Sequence, residues 1–120
     1  MNQRGSFTVE AALVIPVVLL MALAGLEALT AVITHQEMVA AAREGARVAA
    51  TVPDPARAVA AVRNALGPDL GNEVRVTVRR PAVVGRPAEV VVQYAKPLGT
   101  PLLGGFSIEL RARAVMRVEL

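Results

Sequence analysis

The sequence has no cysteine and one histidine, His35. The missing thiols exclude disulfides, thiolate metal sites and cysteine nucleophiles, and a single imidazole supports neither a histidine metal cluster nor a triad. Aspartate is nearly as scarce, with only Asp54 and Asp69, so carboxylate-rich calcium loops are poorly supplied. Phe7, Tyr94 and Phe106 are all the aromatic side chains there are, which is too few for the stacking platform of a single-strand binder. No acid, base and nucleophile satisfy the roles that catalysis requires. The expectation is a protein that is not an enzyme, with no cofactor and no metal.

The formal charge is +3, and three arginines face four glutamates up to residue 50 while ten basic face six acidic residues beyond it. That surplus is modest and dispersed, so no nucleic-acid partner is expected.

What the chain does have is aliphatic side chain. Its 120 residues allow one domain, and 54% hydrophobic content with a mean hydropathy of +0.49 excludes disorder in favour of a membrane segment or a buried helix. Ala11 to Leu26 runs without a charge. A bilayer core needs about 20 helical residues, and the apolar pattern resumes after Glu27 through Ala28, Leu29, Ala31, Val32 and Ile33. A span with Glu27 snorkelling at its outer edge is therefore feasible. Pro16 is better tolerated in a membrane helix than in a soluble one. The competing reading is a secretory signal, with Arg4 as charged start and signal peptidase cleavage after Ala24 in Ala22-Leu23-Ala24. That would release a secreted extracytoplasmic ligand-binding domain.

Helix formers continue to about residue 50, with small residues Ala41, Gly45 and Ala49 at spacing four. Gly45 costs about 1 kcal/mol relative to alanine inside a helix, which favours a packing reason for it. Asp54-Pro55 reads as an N-cap and first helical position of a short helix over about 55–66. Alternation then replaces the helical period, predicting strands over about 73–79, 88–94 and 107–120. In the last, Ile108, Leu110, Ala112, Ala114, Met116, Val118 and Leu120 share one face. The expected fold class is α+β: a long amino-terminal transmembrane helix whose outer half packs Ala41, Gly45 and Ala49 onto a small antiparallel sheet, plus one short helix. This is the general plan of a pilin.

Closer likeness lies in Arg4-Gly5-Ser6 followed by Glu10, the apolar run, and Ala41-Ala42-Arg43-Glu44-Gly45-Ala46-Arg47. Together with the loop from Pro97-Leu98 to Gly104-Gly105 and the closing Ala114-Val115-Met116-Arg117-Val118-Glu119, these residues resemble the TadE family of pilin-like proteins of tight-adherence (Flp) pilus systems. The resemblance implies a minor pilin or pseudopilin supporting assembly of type IV pili. It implies a prepilin peptidase cutting between Gly5 and Ser6 on the cytoplasmic side, so that 1–5 is a leader and Glu10 becomes the fifth mature residue. Residues 6–34 are then the transmembrane half and 35–120 an extracytoplasmic domain, in the cytoplasmic membrane or in the fibre. Implied partners are the peptidase, other pilin and pseudopilin subunits, assembly platform proteins and membrane lipid.

A glycine before the cut lets extended backbone enter a protease cleft. Glu10 in or near hydrocarbon faces a cost of about 2.5–3.5 kcal/mol, the figure for a central acid such as Asp. Either the amine freed at Ser6 of a neighbouring subunit offsets it, or the side chain snorkels to water. Glu27 and His35 read as interfacial and structural, with no evident partner. Lys96 to Phe106, with three Gly and two Pro, is expected to be an irregular surface loop. Its Leu98, Leu102, Leu103 and Phe106 either touch another subunit or fold back over the end of the core.

Overall fold

A computed structural model of the chain describes residues 3–98 and 105–118. Helix α1 runs from Gln3 to Thr51, passing through Pro16 without interruption. The chain divides into two units, Met1–Thr30 and Ala31–Leu120. In the first, α1 is all there is among the described residues, and Phe7, Leu13, Leu19, Met21 and Leu29 are all exposed.

The second unit contains the rest of α1, α2 (Pro55–Leu66), the single turn α3 (Pro68–Gly71) and strands β1 (Arg75–Arg79), β2 (Pro87–Leu98) and β3 (Phe106–Arg117). Asp54 caps α2, its Oδ1 accepting from the Ala56 N–H at 3.0 Å, and Pro55 begins the helix with its φ already set. Gly67 ends it at φ +87°, a conformation that L side chains rarely adopt. The expectation of one short helix needs correction here. Pro68 starts a second turn instead of a loop, closed by the Gly71 N–H on Gly67 O at 2.8 Å and tied back by the Arg63 guanidinium on Gly71 O, also 2.8 Å.

The three strands form one antiparallel sheet in the order β1-β2-β3. One face is the core. Val90 and Val92 of β2 with Leu110, Ala112 and Ala114 of β3 lie in one buried cluster with Met38, Ala41, Ala42, Ala46 and Ala49 of α1 and Ala58 and Val62 of α2. Val62, Val90 and Val92 are fully buried, each contributing about 1.5–3 kcal/mol of transfer free energy. Alanines on α1 leave room for these valines. At Gly45 even a methyl group is too much, because a Cβ there would overlap Val62 Cγ2 and lie 3.3 Å from Val90 Cγ1.

Two strand boundaries differ from expectation. β2 continues past Tyr94 to Leu98, so Lys96, Pro97 and Leu98 are strand, pairing with Ile108, Ser107 and Phe106. The proline is admissible because β1 pairs β2 only up to Gln93, and a strand open on one side tolerates a residue without an N–H. β3 closes at Arg117, where Val118 turns to the β1–β2 connection: its N–H donates to Arg86 O at 2.8 Å and its carbonyl accepts from the Gly85 N–H at 3.0 Å. The end of α1 is also tied to this connection, with Arg80 Nε donating to Ala49 O at 2.6 Å. Ala49 carries one of the last carbonyls of α1, which have no partner within a helix.

Gly45→Ala weighs a helix-propensity gain of about 1 kcal/mol against overpacking of about 1–3 kcal/mol on a stiff, enclosed valine. A net loss of about 1 kcal/mol is expected, lowering the melting temperature of the full chain in detergent by roughly 4–8 °C. Gly25→Ala, where nothing lies within 4 Å of the added Cβ, is the control: it has the propensity gain without the overpacking and does not lower the melting temperature. Equal melting of the two variants would remove the close-packing account of Gly45.

Candidate functional site

The residues singled out in the sequence lie in separate units. Gly5, Ser6 and Glu10 occupy the opening turns of α1. A Cβ on Gly5 would meet nothing within 4 Å, so no neighbour among the described residues requires glycine there. The peptide bond after it is helical, and a protease that needs extended backbone must unwind this end. The first turn is the least expensive place to do so, since its N–H groups have no intrahelical partner. Glu10 is exposed and has no partner among the described residues.

Ala41, Gly45 and Ala49 recur every fourth residue on α1, and all three are buried in the second unit. Around them the Ala-Arg-Glu-Gly-Ala-Arg segment alternates between core and water. Ala42, Gly45 and Ala46 face inward, while Arg47 holds Glu44 with Nη2 2.5 Å from Oε1. The hydrogen bond and charge of Arg47 keep the Glu44 carboxyl below its usual range, and Glu44 in turn raises the guanidinium. An exposed pair of this kind adds little stability.

Leu98 and Phe106 are cross-strand partners at one end of the β2–β3 ladder, whereas Leu102 and Leu103 lie outside the described residues. His35, expected to have no evident partner, in fact has one: its Nε2 donates to the Arg111 carbonyl of β3 at 3.0 Å. That carbonyl can only accept, so Nε2 carries the proton. The bond joins residues 76 apart in sequence, a distance at which spacing rules are silent.

The solvent face of the sheet was legible as wet, but its arrangement was not. Register places Arg75, Gln93 and Arg111 in one row, Thr77, Val91 and Arg113 in the next, and Arg79, Glu89 and Val115 in the third. Arg113 Nε lies 2.9 Å from Glu89 Oε1. Val91 is buried although it points to this side, in a depression shared with Arg79 and Arg111, whose aliphatic stems are suited to covering it. At the neighbouring edge the Tyr94 hydroxyl donates to Glu73 Oε2 at 3.3 Å. Among the described residues no three metal-ligating side chains gather.

Comparison with known families bears on the first half of the chain. Residues 5–47 match the family of TadE-like proteins. The TadE resemblance seen in the sequence is thus confirmed over the Gly5 to Glu10 spacing, the apolar run and the Ala-Arg-Glu-Gly-Ala-Arg segment. The 97–105 segment and the closing strand fall outside the match. No curated protein and no solved structure matches the chain. The matched segment lies within the helix that is long and apolar enough to cross a membrane, and the two findings together support a membrane protein related to the Tad pilus.

Tyr94 offers a clean probe of the second unit. Burial first, then the Glu73 charge and hydrogen bond, raise its phenol above the ordinary value of 10.0. A raised folded value means that the native state holds the proton more tightly. The associated stability is complete below the unfolded value and is lost as pH rises through the folded one. Because Tyr94 is the sole tyrosine, absorbance at 295 nm titrates it alone. Glu73→Gln is expected to move the midpoint down toward 10 without abolishing the part due to burial, and an unmoved midpoint would dismiss the carboxylate's role.

Proposed function

We propose that the chain is a TadE-like minor pilin or pseudopilin, a single-pass structural subunit that supports type IV (Tad/Flp) pilus assembly by contact with other subunits. The observation that carries this reading is a coincidence of segments: the family match at residues 5–47 includes the part of α1 whose apolar side chains stand exposed. In water that surface is unfavourable, and in a bilayer it is at home. The prepilin peptidase removes residues 1–5, the domain from about residue 35 lies outside the cytoplasmic membrane, and Leu98, Leu102, Leu103 and Phe106 face other pilus components. A secreted domain freed after Ala24 requires a cut in the middle of a helix that runs on to Thr51.

Processing is the direct test. Intact mass and amino-terminal sequencing of protein from native membranes should give Ser6 as the first residue, with the apolar helix retained. A chain starting at Gly25 in the soluble fraction would replace this reading with the secreted domain.

Glu10 separates anchoring from assembly. Its removal from the bilayer lowers the cost of insertion, so Glu10→Leu should be present in membranes at normal or higher levels while pilus formation drops. Normal pili on cells carrying this variant would rule out pairing between Glu10 and the Ser6 amine of a neighbour.

A further inference from the structure

β3 is twelve residues long and has one neighbour. The order β1-β2-β3 leaves the other side of Phe106–Arg117 unpaired among the described residues. Such an edge presents a row of N–H and C=O groups that another strand completes. Side chains mark it on both faces. On the core side Phe106, Ile108 and Met116 are 68%, 41% and 38% exposed, on either side of the buried Leu110, Ala112 and Ala114. On the solvent side Glu109 is followed by Arg111, Arg113 and Arg117, all exposed. Arg113 is held by Glu89, whereas the guanidinium groups of Arg111 and Arg117 have no carboxylate among the described residues.

We propose that β3 accepts, as a fourth strand, an extended segment of another protein in which carboxylate and apolar side chains alternate. The carboxylates stand opposite Arg111 and Arg117, and the apolar side chains lie beside Ile108 and Met116, the cross-strand contacts by which sheets grow. Arg111 O already accepts from His35, and its second lone pair remains for the incoming strand. The choice of partner rests on the membrane-anchored reading above.

Charge disfavours a second copy in the same orientation. β1 and β3 both run antiparallel to β2 and are therefore parallel to each other. Suppose β1 of a second copy is laid along β3 with faces matched and all five residues engaged. Every register then opposes two arginines: Arg79 with Arg111 or Arg113, or Arg75 with Arg111 or Arg113. Like charges directly opposite are destabilising. A two-fold β3–β3 pair does set Glu109 against Arg111 of the second copy. Its axis, however, is normal to the sheet and reverses the helical segment 31–51 lying on it. The two copies would then send residue 31 in opposite directions, which two chains anchored in one membrane cannot do.

The absence of cysteine makes the test specific. Ser107→Cys and Met116→Cys, one on each face of β3, are labelled with a thiol-reactive photocrosslinker in the full chain in native membranes. The expected product joins β3 to a different polypeptide, at a segment that mass spectrometry shows to alternate acidic and apolar residues. Adding Arg111→Glu with Arg117→Glu lowers its yield roughly fivefold or more. A product with a second copy, a segment without that alternation, a yield indifferent to charge reversal, or no product each overturns the proposal. The start of the mature chain is read from the same samples. A Ser6 start without the crosslink rejects the fourth strand alone, and a Gly25 start rejects the pilin-like reading.

A defined probe gives a second measurement. A ten-residue peptide alternating Glu and Val should slow hydrogen exchange at the β3 amides that do not bond to β2, in full-length protein in zwitterionic micelles. A Lys/Val peptide should not. Arg111→Gln with Arg117→Gln should weaken the Glu/Val peptide roughly five- to tenfold. Equal protection by both peptides, or by neither, contradicts the charge-matched edge.

Discussion

The closeness of α1 to the valines it covers governs the second unit. Gly45 has no space for a Cβ between Val62 and Val90, and the buried α1 positions around it are alanines apart from Met38. A helix so bare contributes little apolar area of its own. It lets two other elements approach, α2 through Ala58 and Val62 and the sheet through Val90 and Val92. Stability therefore rests on a few valines held at short range, and a close-packed interior of this kind registers a single added methylene. The same closeness explains why Arg80 reaches Ala49 O: the end of α1 comes near enough to the β1–β2 connection for one side chain to satisfy a helix carbonyl.

With the core side so thin, the solvent side of the sheet contributes to it. Val91 points away from α1 and is buried nonetheless, in a row between Thr77 and Arg113. Arginine suits this place because its stem is apolar while its fork stays in water. Beside it the Arg113–Glu89 pair spans the face, an exposed ion pair of small worth.

Most of the architecture was legible because it is local. The 3.6-residue period, the Asp54-Pro55 cap and the alternation in β3 each depend on neighbours within a few positions. What escaped depends on register. Composition made Lys96–Leu98 a loop, yet pairing with Phe106–Ile108 draws these residues into β2, and no count of prolines discloses that β1 pairs with β2 only up to Gln93. The same limit hid the His35 bond to Arg111 O, the Tyr94–Glu73 pair and the arginine rows, since a period-two pattern names the face of a residue without naming its cross-strand partner. Of the proposed contact residues, Glu10, Leu98 and Phe106 are placed by the described structure, and Leu102 and Leu103 lie outside the described residues.

The helical glycines divide the chain by what accounts for its residues. Gly45 is explained from within, by Val62 and Val90. Gly5 and Gly25 have nothing within 4 Å of an added Cβ, and glycine inside a helix costs about 1 kcal/mol relative to alanine. The apolar side chains from Phe7 to Ile33 and the carboxylate of Glu10 are likewise exposed. A segment with exposed aliphatic side chains, glycines that no described neighbour requires and only two charges, Glu10 and Glu27, is not arranged for the interior of its own chain. Its determinants belong to its surroundings. A bilayer suits the aliphatic surface. The match to TadE-like proteins spans this segment and ends at residue 47, within the helix that the second unit packs around.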